Sequence, residues 1–553
     1  MMLYNGEVFY LNSDQIKGDY QFINQEQIKA FDSQFRNDGI QLFEILNHAS
    51  NQFAKIKLDN DQVTIKCYLD EIMSVMREVF ENSDMSFAFL DKINDVMIIY
   101  RDIFGKRSLI IDYDEKLQSL MLSSSLLEES TSCFEVPSNS YLAILTDGTL
   151  LFKRFDEIPS QIRFKKPYQA IQNQNQDLEH IEQLQNIKQL LIDSVKYRVQ
   201  NIPNIAFKKE EEFKSIDEAI FTDADNRPQV AVMFSGGLDS TLIGALLAEV
   251  TDRDVIIDLV NVSFDAETSA DRITAIFSYF EIKRMICADY TKADIQSNET
   301  LIQSLIAPKN SHMDFNIACA LHFASKCEGY LFNDTYFESE HFDSITKKIS
   351  KCQDDKQSQN LSELKKTDSK AKSYDFGLIS QVVQKVDPKL YRLEDQWIKS
   401  SSKVVFSGLG ADEVFGGYAR YKTAVERGGI QEMENEMSMD LDRIWHRNMG
   451  RDDRAISYNG KEARFPFLDT SLMRYLRDNV DTKDLCDFSD FRGQGDKKML
   501  REVAYQCFGF HFASKFEKRA IQFGTKIAKQ TNIMKFGSNR KANGKAQYQK
   551  KNK

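Results

Sequence analysis

The chain has 553 residues, 83 Asp+Glu against 72 Lys+Arg for a formal net charge of −11, with 42% hydrophobic and 28% charged residues. At roughly 150 residues per domain this length gives two to four domains, and no apolar run approaches the roughly 18 residues of a membrane span, nor does the opening MMLYNGEVFY read as a secretory leader. Net acidity argues against a nucleic-acid partner, and eight scattered cysteines without CxxC spacing exclude a zinc finger and a disulfide framework, so the expectation is a cytoplasmic chain with no membrane and no nucleic-acid partner.

Residues 1–155 carry short β-type runs (LYNGEVFYL, SFAFLDKI, VMIIYRDI, SLIIDY, SLMLSSS and YLAILTDGTLLFKRF) separated by turn signals such as Thr-Asp-Gly. Such alternation predicts antiparallel sheets, interrupted by one helix near 39–54, in an α+β layer domain over 1–165. Cys67 falls in a strand of this half on the same reading. From 180 to 199 the apolar spacing becomes helical. Residues 201–227 are a polar insertion, and strands at 230–234, 255–262 and 403–407 then alternate with helices at 240–250 and 269–280. That alternation predicts an α/β domain with a parallel sheet over 176–530. The stretch 346–373 is poor in apolar residues and reads as a disordered insertion, and the basic run 535–553 as a solvated disordered tail.

The strongest chemical signal is AVMFSGGLDSTL, a buried strand running into Ser235-Gly236-Gly237-Leu238-Asp239-Ser240 and then a helix. Two glycines allow positive φ and bring backbone N–H groups against an anion, and the helix N-terminus adds its own donors and dipole. Asp239 would repel a bare phosphate, so its presence implies a bridging Mg²⁺. No Lys closes the loop, which excludes the kinase and GTPase type; SGGxDS instead resembles loops that cleave ATP between the α- and β-phosphates. A second small-residue turn, Ser407-Gly408-Leu409-Gly410-Ala411-Asp412, follows another strand. In an open parallel sheet the carboxyl ends of strands share one crevice, so the two turns should face each other, with Asp412 on a second Mg²⁺ or on the far side of the pyrophosphate.

SGGLDS, SGLGADEVFGGY, EARFPFLD, GDKKMLRE and KRAIQFG occur in the order found in asparagine synthetases, and NMGRDDR with QFGTKIAK resembles still more closely the divergent asparagine synthetase domain-containing proteins. The resemblance spans 1–165 and 176–530. It implies an N-terminal nucleophile-type αββα sandwich, incomplete here, followed by an ATP pyrophosphatase domain with the parallel sheet of the adenine nucleotide α-hydrolase type. It also implies an acyl-adenylate made from the aspartate side chain and ATP, which ammonia converts to asparagine with release of AMP. On that resemblance Ser235, Gly236, Gly237, Leu238, Asp239, Ser240, Ser407 and Gly408 hold the nucleotide, Leu259 and Val262 flank the adenine, Asp239 and Asp412 take the metal, and Lys497 with Asp412 is catalytic. Small-molecule substrates (ATP, aspartate or a related acid, ammonia) and a homodimer complete the expected partners.

The first half resembles the glutaminase layer that feeds ammonia to the family. YNGEVF matches its Y-N-G-E-I-Y strand, with Asn5 and Gly6 at the oxyanion positions, and RDIFGKRSL matches its R-D-x-x-G-x-x-x-L. The family's Met-Cys-Gly opening has no counterpart before Asn5, so this chain is expected not to hydrolyse glutamine. The second half departs twice. Leu409 stands where active members carry an acid, and SHMDFNI replaces a Thr-Thr-x-Arg stretch, with no Arg between Arg284 and Arg392. Two functions follow: an ATP-dependent amide ligase using ammonia from elsewhere, or a weakened ATP-binding paralogue that serves as a scaffold. A GMP synthetase-like, NAD synthetase-like or tRNA-thiolating adenylator fits GADEVFGGY and the β-rich first half poorly.

Overall fold

A computed structural model describes residues 2–7, 38–59, 64–78, 80–114, 119–125, 133–154, 176–200, 202, 229–279, 284–357, 383–489 and 494–531. The chain forms two compact units, Met1–Arg163 with Met439–Arg454, and Phe164–Ser438 with Ala455–Lys553.

The first unit opens on β1 (Met2–Glu7), followed by helices α1 (Asp38–Asp59) and α2 (Ile65–Glu78). Strands β2 (Asp84–Asp91), β3 (Val96–Arg101), β7 (Ser140–Leu145) and β8 (Leu150–Arg154) join β1 in an antiparallel sheet of order β1-β2-β3-β7-β8. A smaller sheet has the order β5-β4-β6, from Ser119–Ser123, Ile110–Asp114 and Cys133–Glu135. The period of two along the strands sorts the core into layers. Met85, Phe87, Phe89, Ile98 and Tyr100 pack with Leu42, Ile45, Phe53, Leu69, Ile72 and Met76 of the helices. The alternate residues Ala88 and Ile99 pack with Leu109, Ile111 and Val136 on the other side. The described layers are therefore helix, sheet, sheet. The expected strand at Cys67 is in fact the start of α2, where Cys67 is exposed. Its β-branched run Val63-Thr64-Ile65 hides the helical stripe Leu69, Ile72, Met73, Met76, each member of which contributes roughly 1.5–3 kcal/mol of burial.

Residues 439–454 complete this unit through a buried charge network. Asp453 accepts from the Ser108 N–H at 2.8 Å and from Arg107 at 3.3 Å. Arg454 donates to the Ser108 hydroxyl at 2.8 Å and lies 3.4 Å from Glu135, which also pairs with Arg101 at 3.0 Å. The RDIFGKRSL and NMGRDDR runs, far apart in sequence, are thus two halves of one cluster.

The second unit holds a seven-stranded sheet of order β13-β12-β11-β10-β9-β14-β15. The strands are β9 (Gln229–Met233), β10 (Ile256–Ser263), β11 (Met285–Asp289), β12 (Glu328–Phe332), β13 (Arg392–Lys399), β14 (Val404–Phe406) and β15 (Glu462–Arg464). β11, β10, β9, β14 and β15 run parallel, as the alternation of strands and helices predicts. β12 and β13 pair antiparallel, so the sheet is mixed and not purely parallel. The half-exposed, charged RLEDQWIK of β13 suits an edge, whereas β10 is buried along its whole length. Helix α3 (Gln176–Gln200) precedes the sheet, α4 (Leu238–Val250) follows β9, and α5 (Ala270–Ser278) follows β10. The expected disordered insertion begins in a helix, Glu340–Gln357; the rest of it, the insertion at 201–227 (apart from Ile202) and the basic tail lie outside the described residues.

Candidate active site

The loop from β9 to α4 is shaped by its neighbours as much as by its own glycines. Gly236 sits at φ +72°, and a Cβ there would lie 2.2 Å from the backbone nitrogen of Ala275, so only glycine allows α5 to pack against the turn. Three consecutive carbonyls are tied down by side chains. Asn261 donates to Phe234 O at 2.7 Å, Thr274 to Ser235 O at 2.8 Å and Ser278 to Gly236 O at 2.7 Å. The Gly237 N–H is held by the Ser235 hydroxyl at 3.2 Å, and the Ser235 N–H by Ser240 at 3.2 Å. Gly237 caps α4 without a side-chain hydrogen bond, which leaves the first-turn N–H groups of α4 to meet an anion.

The two turns meet, as expected. A Cβ on Gly408 would lie 2.8 Å from the Asp239 Cβ. Between them stands Lys497, 2% exposed and in the left-handed region at φ +53°. Its Nζ lies 2.7 and 2.6 Å from the two Asp239 carboxylate oxygens and 2.8 Å from Asp412 Oδ1. Lys518 takes Asp412 Oδ2 at 2.8 Å and rests 3.7 Å from the centre of the Tyr418 ring. Gly417 makes room for this cluster, since a Cβ on it would fall 2.0 Å from Asp412 Oδ1 and 2.4 Å from Lys497 Cε.

The electrostatics follow from the alternation of charges. Burial works to raise the Asp412 carboxyl, but Lys497 and Lys518 overcome it and hold the group well below the usual carboxylate range. Burial likewise opposes the charged form of Lys497, and Asp239 with Asp412 holds it above its ordinary value. Next to them, burial and the Asp412 charge push Glu413 up to about 6.

Around the cluster is a cleft open to solvent. Ser235, Gly237, Leu238, Asp239, Asp271, Thr274, Lys497, Lys518 and Arg519 are on its walls. Asp239 and Asp412, the expected metal ligands, converge on Lys497, and among the described residues no group of three or more His, Cys, Asp and Glu has metal-site geometry. The residues still fit Mg²⁺ carried in on a polyphosphate, because Mg²⁺ takes one or two protein carboxylates and fills its remaining sites with phosphate oxygens and water. Leu259 and Val262 are brought to one strand but not to one face, since an odd spacing along β10 places their side chains on opposite sides of the sheet. Leu409 is half-buried at the second turn, its N–H on the Ser407 hydroxyl at 3.3 Å. The SHMDFNI run starts a helix, His312–Ser325, whose cap is Ser311. Asn5 and Gly6 lie on β1 opposite Ser86 and Met85.

Six residues escaped the sequence reading: Asn261, Thr274 and Ser278, which shape the loop, Asp271 and Arg519, which line the cleft, and Lys518, which pairs with Asp412. Asn261 carried a signal, a polar side chain in the apolar run of β10; the others gain meaning only once α5 and the KRAIQFG segment are placed beside the loop.

A strand–loop–helix turn facing a second carboxylate-bearing turn at the ends of the parallel strands of a mixed sheet defines the class of the second unit as α/β. The family model for asparagine synthase matches residues 380–431 and 425–520. The human protein named asparagine synthetase domain-containing protein 1 is 24% identical over 87% of this chain and 84% of its own length. A Saccharomyces cerevisiae protein also named asparagine synthetase domain-containing protein is 26% identical over 86% of this chain and 77% of its own length. A putative glutamine-hydrolysing asparagine synthetase of Methanocaldococcus jannaschii is 22% identical over 76% of this chain and 59% of its own length. The chain is thus similar to asparagine synthetases over residues 380–520, and over most of its length to the asparagine synthetase domain-containing proteins.

Proposed function

We propose that the chain is an ATP-dependent ligase that joins ammonia to the carboxylate of aspartate or a related acid, with AMP and pyrophosphate leaving. The observation that carries this reading is Lys497, buried between the carboxylates of the two facing turns, at 2.6–2.8 Å from both. A cation fixed there by Asp239 and Asp412 opposes negative charge that builds up on a phosphate entering the cleft, without having to reorganise. The N–H groups of the loop and of the α4 terminus bind the pyrophosphate end; Thr274, Ser278 and Asn261 keep the neighbouring carbonyls turned away from it. Mg²⁺, when bound, would be held by Asp239 and Asp412 and would supply charge neutralisation to the phosphates. Leu409 brings no charge to the acceptor side, so the turnover expected of the wild type is slow and Leu409→Glu is expected to speed it. The test follows AMP and amide together with ATP, ammonium and each amino acid in turn. AMP and an amide formed in equal amounts with an acidic amino acid support the reading; consumption of ATP to ADP, or no product with any carboxylate, overturns it.

A further inference from the structure

We infer that Arg519, beside Lys518, is the second wall of a pyrophosphate-binding site, so that this cleft grips terminal phosphates from both sides. The inference rests on the nucleotide reading above and deepens it by naming the residue that selects the pyrophosphate moiety over the nucleoside monophosphate. On one side the moiety meets the loop donors and Lys497; on the other it meets the segment that starts KRAIQFG. Lys518 is already committed to Asp412. Arg519 is not: it lines the cleft half-buried, and among the described residues it makes no ion pair and no hydrogen bond. The neighbouring arginines are used up structurally. Arg501 is held by Asp496 at 2.6 Å and by the carbonyls of Asp496, Ser514 and Phe516, and Arg272 by Asn261, Asp289 and Tyr391. A guanidinium that makes no ion pair or hydrogen bond among the described residues, in the cleft beside the loop donors, offers the planar fork that phosphate oxygens accept from in pairs.

The wall is anchored. Ser269 donates to Gly524 O at 2.9 Å, and the Phe264 N–H to Thr525 O at 3.0 Å, which pins the end of the KRAIQFG run to the turn before α5. A Cβ on Gly524 would fall 2.0 Å from Asp271 Oδ1, so the glycine admits the Asp271 carboxyl. Burial disfavours the charged form of Asp271, and the positive charge of Arg519 acts the other way.

Calorimetric titration of the full chain with Mg·pyrophosphate, Mg·ATP and AMP tests this. Arg519→Ala is expected to weaken pyrophosphate and ATP in parallel by about tenfold or more, the worth of charge-assisted hydrogen bonds, and to leave AMP within about twofold. Arg519→Lys, which keeps the charge but not the fork, recovers part of the loss. Arg519→Ala that binds pyrophosphate within about twofold of wild type overturns the inference while ATP binding leaves the nucleotide reading in place. A folded wild-type chain that binds neither ATP nor pyrophosphate overturns that reading, and this inference with it.

Discussion

Lys497 adopts a backbone conformation that a non-glycine residue rarely takes, at φ +53°, and it does so where two carboxylates of separate turns converge on its ammonium. Its run GDKKMLRE singles it out in the sequence, and so do SGGLDS for Asp239 and GADE for Asp412. What no sequence pattern conveys is that the two acids meet through a lysine. Asp271 was equally illegible, because its meaning depends on burial against Gly524 and on the facing Arg519. Burial pushes its carboxyl up to about 7, against the pull of Arg519. A carboxyl raised in the folded state contributes its full share below the unfolded value near 3.8 and loses it as the pH rises through about 7. Asp102 and Glu413, both raised to about 6 by burial first of all, act in the same direction. Asp271→Asn is therefore expected to raise Tm at about pH 8 more than at about pH 5, flattening part of the decline. Thermal unfolding of wild type and variant across that window checks it; parallel Tm curves contradict the assignment.

At the scale of elements, β9, the loop and α4 were legible because one apolar strand, two glycines and one helix start coincide within a short run. Helix α2 was missed where β-branched residues at its start mimic a strand. The antiparallel pairing of β12 and β13 was missed because strand direction is set by the connections and not by composition. The contact between the loop and α5 carries a sharp expectation. In Gly236→Ala the new methyl meets backbone at 2.2 Å and a positive φ at once, so neither the loop nor α5 can stay in place. The expected cost is about 2 kcal/mol or more, with loss of ATP binding in the fraction that folds. Thr274→Val, which removes only the hydroxyl on Ser235 O, is expected to weaken ATP without a comparable loss of stability. Chemical denaturation paired with ATP titration separates the two; a Gly236→Ala protein as stable as wild type would show that the turn has another shape.

At the scale of the whole molecule, the first compact unit is built on two sheets and the second on one, and the first takes its last element from Met439–Arg454. That exchange was unreadable from composition, since NMGRDDR presents itself as a polar surface run. In the fold Asp453 and Arg454 are 3% and 0% exposed, and their partners are Arg107, Ser108 and Glu135. Removing one member leaves the others buried without their counter-charge. Asp453→Ala is accordingly expected to cost about 3 kcal/mol, a fall in Tm of roughly 6–12 °C. Differential scanning calorimetry reads it, and an unchanged Tm would mean that residues 439–454 do not belong to the first unit.

Activation of a carboxylate by ATP in the second unit is tested most directly by the exchange of labelled pyrophosphate into ATP, which requires both the nucleotide cradle and the acyl partner but no ammonia. Exchange is expected to depend on aspartate or a related acid, to be lost in Asp239→Ala and to fall steeply in Lys497→Ala. Exchange that is absent with every carboxylate while ATP still binds would contradict it and leave an ATP-binding scaffold in its place.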